Sequence, residues 1–201
     1  EPVANRLYRY EIVDDKLVYP KLLLDLPYLP GPAHNGGAVT IGPDNNVYVA
    51  VGELTPTNFA EDNYKFLSQN YEDGQAPDGR GGILRVTQDG QLVDGKGILG
   101  DEHPLDMYYA YGIRNSFGLA FDPVTGKLWD TENGPAHGDE INLVEPGFNS
   151  GWKIILGGLS SSNQEVDIEE DLVDFGGKGK YSDPEFTWDY TVAPTEITFL
   201  D

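Results

Sequence analysis

The chain resembles itself at an offset of 80 residues, and this restricts its architecture more than any other feature of the sequence. "GGAVTIGPDNNVYVAVGE" at 36–53 reads like "FGLAFDPVTGKLWDTENG" at 117–134, each a strand, a proline-containing turn and a second strand, with Pro43 and Pro123 in register. "APTEITFLD" at 193–201 has the pattern of the opening strand of a third copy. A second echo, between "NRLYRYEIVDDKL" at 5–17 and "GGILRVTQDGQL" at 81–92, interleaves with the first, so the repeated unit holds several strands. Short, turn-bounded strands recurring as four-stranded units predict an all-β fold of the β-propeller class rather than a sandwich. The length allows roughly two and a half to three blades, and residues 1–201 read as part of a single propeller domain.

The repeat spacing exceeds that of compact blades, which predicts long polar insertions at 54–80 and 158–185. The first is expected to hold a short helix at "NYKFLSQN" (63–70), and the second, acidic and glycine-rich, to be partly mobile. So few blades do not close a ring. The chain is therefore expected either to be a piece of a longer polypeptide or to self-associate through its open blade edges.

Thirteen basic residues against 34 acidic ones give a net charge of −21, which repels nucleic acid and anionic membrane and favours cations. There is no cysteine, so disulfides and thiolate metal sites are excluded. No apolar run approaches membrane-spanning length and no signal segment is evident, a pattern that permits secretion.

Three constellations carry possible chemistry. His34 precedes the strand "AVTIG" and Glu53 follows its partner strand, so the two can meet at one end of the blade. From the residues alone, His34 is either a turn histidine bonded to backbone or a general base held in one tautomer by a carboxylate. Arg114 and Asn115 in "YGIRNSFGLAFDP" occupy the place in their copy that His34 occupies in its own, and from the residues alone Arg114 is either one half of a surface salt bridge or a fixed cation suited to an anion or a developing oxyanion. In "TENGPAHGDEINLVEPGFNSGW", the turn at 133–135 frees carbonyl oxygens and Asp139 and Glu140 follow at once. That is either an oxygen-only calcium site or a tight turn capped by its own side chains.

Taken together, "HNGG…GPD…VGE", "GGILRV", "YAYGIRNSFGLAFDP", "TENGP…GDEINLVEPGFNSGW" and "TVAPTEITF", in this order along the chain, resemble the glucose/sorbosone dehydrogenases, soluble aldose sugar dehydrogenases that use pyrroloquinoline quinone (PQQ). The resemblance implies a six-bladed propeller, PQQ and Ca²⁺ as cofactors, an aldose substrate, an external electron acceptor and a secreted or periplasmic setting. It implies catalytic roles for His34 as the base acting on the anomeric hydroxyl, Glu53 as its orienting acid and Arg114 as a stabiliser of charge on the quinone. Arg114, Asn115 and Thr191 match cofactor contacts, with Trp188 or Asp189 beside the last, and Asn133 stands at a cofactor-binding position where the family often carries glutamine or histidine. The carbonyls of Gly134 and Pro135 match calcium ligands, and Glu140 with Ser150 matches a second calcium site, although serine stands where the family carries tyrosine. The family's remaining cationic contacts to PQQ come from later blades, so half of a site is expected here. A carbohydrate- or protein-binding propeller without redox chemistry and a calcium-dependent lactonase are the alternatives.

Overall fold

A computed structural model describes residues 4–27, 34–54, 65–161 and 165–200. Among these residues the chain is built from short strands. β1 (Asn5–Val13) and β2 (Lys16–Leu26) form an antiparallel hairpin whose turn, Asp14 and Asp15, takes φ of 48° and 57°. Positive φ at both central residues gives the turn the twist that two strands need, and aspartate tolerates it.

The first repeat copy supplies β3 (Val39–Ile41), β4 (Val47–Val51), β5 (Gly82–Val86) and β6 (Tyr108–Tyr111), paired antiparallel in chain order. The second supplies β7 (Ser116–Phe121), β8 (Leu128–Glu132) and β9 (Asp139–Val144), again in chain order. Two short strands that follow, β10 (Phe148–Asn149) just before the second insertion and β11 (Lys180–Tyr181) within it, do not join that sheet. They run parallel to β6 and extend the first sheet outward to six strands. β12 (Phe186–Trp188) then returns to complete the second sheet as its fourth strand, beside β9. The sheets are therefore two propeller blades, with a hairpin standing before them.

β4 shows why these layers stack. Its sequence, VYVAV, is buried at every position because each of its faces meets a different core. Val47, Val49 and Val51 face Leu23, Leu24 and Leu26 of β2, while Tyr48 and Ala50 face Leu119, Leu128 and Val144 of the next blade. A third, smaller cluster of Ile155, Leu172 and Tyr181 holds the second insertion down.

The insertions differ from expectation in detail. The helix expected at 63–70 is a single 3-10 turn, Leu67–Gln69, with residues 63 and 64 outside the described residues, as is most of 54–64. Of 158–185, all but 162–164 are described, with one turn of α-helix, Ile168–Asp171, capped by the Asp167 side chain accepting from Glu169 N–H at 3.0 Å. Residues 193–200 carry no strand, although the segment runs beside β7 and sets Phe199 against Trp129. A ladder needs the second strand of the repeat, the counterpart of β4 and β8, and 193–200 contains none.

Apolar side chains stay exposed on β1 and on the segment from β12 onward. Tyr8, Tyr10 and Ile12 alternate along β1, and Phe186, Tyr190 and Val192 follow one another at and after β12. Core faces left in water this way mark where further structure packs.

Candidate active site at one end of the blades

The C-terminal ends of β4, β6 and β8 and the N-terminal ends of β3, β7 and β9 lie together, because the strands alternate in direction. Every sequence-predicted residue from His34 to Ser150 falls at this end. Gly52 brings the first three loops together: a Cβ on it would collide with the carbonyl oxygen of His34 and come within 3.0 Å of that of Arg114. Glu53 N–H donates to the Arg114 carbonyl at 2.9 Å and Leu54 N–H to that of His34 at 3.3 Å. Gly52→Ala is expected to destabilise the fold by about 3 kcal/mol or more, seen as an early thermal transition, since backbone atoms cannot give way.

His34, at φ 58°, points Nδ1 at Glu53 Oε1, 2.7 Å away. The carboxylate is nearly sealed, its side chain 5 % exposed against 15 % for the imidazole. With Nδ1–H bonded to Glu53, Nε2 is left as an acceptor. Glu53 Oε2 accepts from Trp152 Nε1–H, and from Gln69 at 3.4 Å.

Arg114 reaches the same carboxylate from the second blade, its Nε 4.0 Å from Glu53 Oε1. Its Nη1 donates to the carbonyls of Asn133 at 2.6 Å and Gly134 at 3.0 Å, and its ring neighbour is Trp152, with 5.3 Å between guanidinium and ring centre. The Nε–H is buried without an acceptor. Burial pulls the guanidinium pKa down, and Glu53, Glu132 and Asp139 pull it back up. Asn115 accepts from Gly36 N–H at 3.3 Å, tying the second blade to the loop that carries His34.

Behind Arg114 lies a set of buried acids of which the sequence signalled only Asp139 and Glu140. Glu132 accepts from Arg114 N–H at 2.5 Å, and the Ser150 hydroxyl lies 2.7 Å from Glu132 and 3.3 Å from Glu140. Glu140 also accepts from Gly157 N–H at 2.8 Å. Glu132, Glu140, Ser150 and Gly134 line a cavity of about 10 Å³, roughly room for one water-sized occupant. Burial, then repulsion from Glu140 and Asp130, pushes the Glu132 carboxyl well up, and burial pushes Glu140 up to about 7. A carboxyl whose folded pKa lies above its unfolded value holds more protons in the folded state, so it costs stability as pH rises. Without divalent cations, stability is expected to fall between about pH 4.5 and 7. Glu140→Gln is expected to flatten that slope in a series of urea melts.

Asp139 is wholly buried and ties the 134 turn to the chain beyond β12. It accepts from Gly134 N–H at 2.8 Å and from the N–H groups of Val192 and Ala193 at 2.6 and 2.7 Å. Thr191 is exposed beside this clamp, and Asn133 donates to the Pro194 carbonyl at 3.0 Å. Pro135 is exposed. Among the described residues no group of three or more His, Asp or Glu is placed to hold a metal by side chains alone, so a cation here would draw on backbone carbonyls.

The family model for glucose/sorbosone dehydrogenases matches residues 3–201. The chain belongs to this family. It is 32% identical over 190 residues to quinoprotein glucose dehydrogenase B of Acinetobacter calcoaceticus, covering 87% of this chain and 38% of that protein. It is 30% identical over 174 residues to the uncharacterized protein slr1608 of Synechocystis, covering 86% and 40%. Among solved structures, the PQQ-bound aldose sugar dehydrogenase of Streptomyces coelicolor superposes with a TM-score of 0.63 at 28% identity, covering 92% of this chain and 46% of that one. The glucose/sorbosone dehydrogenase chain described here thus spans less than half the length of these relatives, as a partial propeller. No helix among its described residues is long and apolar enough to cross a membrane.

Proposed function

We propose that the polypeptide containing this chain is a PQQ-dependent dehydrogenase that oxidises an aldose at its anomeric carbon to the lactone, outside the cytoplasm. The observation that carries the reading is the meeting of His34, Glu53 and Arg114, from two blades, around one buried carboxylate.

The residues present fit the cofactors the family resemblance implies. The unpartnered, buried Nε–H of Arg114 needs an acceptor, and a carbonyl or carboxylate of PQQ is one. Asn115, Asn133 and Thr191 would hold the same group. The oxygen-only set of the Gly134 and Pro135 carbonyls, with Glu140 and Ser150 at a second position, suits Ca²⁺, which would share the Gly134 oxygen with Arg114 Nη1, 3.0 Å away. PQQ, when bound, supplies the two-electron acceptor for hydride from the anomeric C–H.

The chain's own residues do the rest. His34 Nε2 takes the proton of the anomeric hydroxyl as the C–H bond breaks, so a carbonyl forms at that carbon with no charged alkoxide persisting. Glu53 keeps Nδ1 protonated and stabilises the imidazolium that results. Arg114, pre-positioned by two carbonyls and a tryptophan face, meets charge as it develops without reorganising. The electrons leave to an external acceptor.

The test is reconstitution of the full-length protein with PQQ and Ca²⁺. Reduction of an electron-accepting dye on adding an aldose supports the proposal. Lactone hydrolysis without dye reduction would favour a lactonase, and sugar binding without either a recognition propeller. Calcium is expected to raise the melting temperature, by ~2.7 kcal/mol of stabilisation at a hundredfold excess over Kd, and Glu140→Ala to blunt the response. An identical melting curve with and without EDTA would remove calcium from the proposal.

A further inference from the structure

We infer that Trp152 and Gln69 are positioning residues that hold Glu53 on His34 and away from Arg114; the inference rests on the reading of His34 as the base. Glu53 Oε1 has two suitors, His34 Nδ1 at 2.7 Å and the unpartnered Arg114 Nε–H at 4.0 Å. A buried guanidinium donor without an acceptor pulls strongly on a nearby carboxylate. In the cofactor-free protein a small rotation of the Glu53 carboxylate would close that ion pair and release the imidazole, and in the loaded protein the same carboxylate must still be held at the angle that serves Nδ1. What resists the rotation is the other oxygen, Oε2, which accepts from Trp152 Nε1–H and from Gln69 Nε2–H at 3.4 Å. The same indole ring lies over the guanidinium, so Trp152 fixes both the carboxylate and its competitor.

Trp152 can do this because its backbone is held on both sides. Its N–H donates to the Gly112 carbonyl at 3.0 Å, and its carbonyl accepts from Asn70 at 2.7 Å. Asn70 and Asn149, both buried, exchange reciprocal amide bonds of 2.9 and 2.5 Å, which fasten the turn carrying Gln69 to the turn carrying Trp152. Lys153 N–H completes the seam by donating to the Gln69 carbonyl at 3.3 Å. Two loops from distant parts of the chain thus form one platform under Glu53, and the platform fixes which nitrogen of His34 carries the proton.

The experiment uses the full-length protein with Trp152→Phe, which keeps the ring and loses the donor, Gln69→Leu as a second variant, and His34→Ala as control. Turnover of an aldose by the PQQ- and Ca²⁺-loaded Trp152→Phe variant is expected to fall about 10- to 100-fold, with KM little changed, the size typical of outer groups that orient a reacting histidine. Independently of activity, ¹⁵N spectra of the cofactor-free protein are expected to show His34 as the Nδ1–H tautomer, and as a mixture of tautomers in Trp152→Phe. The His34 signals are those lost in His34→Ala. If both platform variants keep wild-type kcat and a single Nδ1–H tautomer while His34→Ala is inactive, the positioning role is overturned and the base reading stands. If His34→Ala itself turns over normally, the base reading fails, and the tautomer spectra alone decide whether the platform positions the imidazole.

Discussion

His34→Ala in the full-length, cofactor-loaded protein is expected to lower sugar oxidation by ~10² to 10⁴ while PQQ binding survives. The expectation follows from where the imidazole sits. Its Nδ1 is committed to Glu53 at 2.7 Å, and its removal leaves the guanidinium anchored on the Asn133 and Gly134 carbonyls. Binding of the anionic cofactor should therefore be insensitive to the change, and the loss should fall on proton removal from the substrate. Steady-state kinetics together with a PQQ titration separate the two. Near-normal turnover would show that another group takes the proton.

The second large effect concerns residues 1–201 expressed alone, which are expected neither to bind PQQ tightly nor to remain monomeric. Charge gives the first half. PQQ is a tricarboxylate, whereas the sequence-predicted site residues contribute one guanidinium, Arg114, among the buried acids Glu53, Glu132, Asp139 and Glu140, and Arg80, just before β5 at the same end, is already paired with Asp78 at 2.5 Å. An anion of that kind needs several cations to offset its desolvation. Packing gives the second half, because Tyr8, Tyr10 and Ile12 on β1 and Phe186 and Tyr190 at and after β12 are core-type residues in water. Titration in excess Ca²⁺ with light scattering measures both. Stoichiometric tight binding by a monomer would contradict the half-site.

The blade architecture was legible because repetition needs no tertiary information: Pro43 and Pro123 mark the β3–β4 and β7–β8 turns of equivalent hairpins. The same offset placed His34 and Arg114 at one end of neighbouring blades. The crossing of β10 and β11 to the first sheet was not legible. Strands of two residues have no hydrophobic period, and their parallel pairing depends on how the insertion folds back over β6. Trp152 and Gln69 were missed for a related reason. Glu53 lies 99 residues from Trp152 and 16 from Gln69, across an insertion with no strand pattern, and a tryptophan in "SGW" carries no local mark of the carboxylate it meets. Glu132 sits in strand β8 and reads as an ordinary strand residue until burial beside Glu140 and Asp130 reveals the strain on its charge. "GDE" announced acids, but not that Asp139 would lock the chain at 192 and 193.

We propose that hydride leaves the anomeric carbon at this site while His34 takes the hydroxyl proton. It is tested most directly by single-turnover reduction of PQQ bound to the full-length protein, comparing an aldose with its counterpart deuterated at the anomeric carbon. Because product release and reoxidation are absent from a single turnover, the proposal expects the deuterated sugar to react distinctly more slowly. Equal rates, or no reduction of the quinone by any aldose, would contradict it.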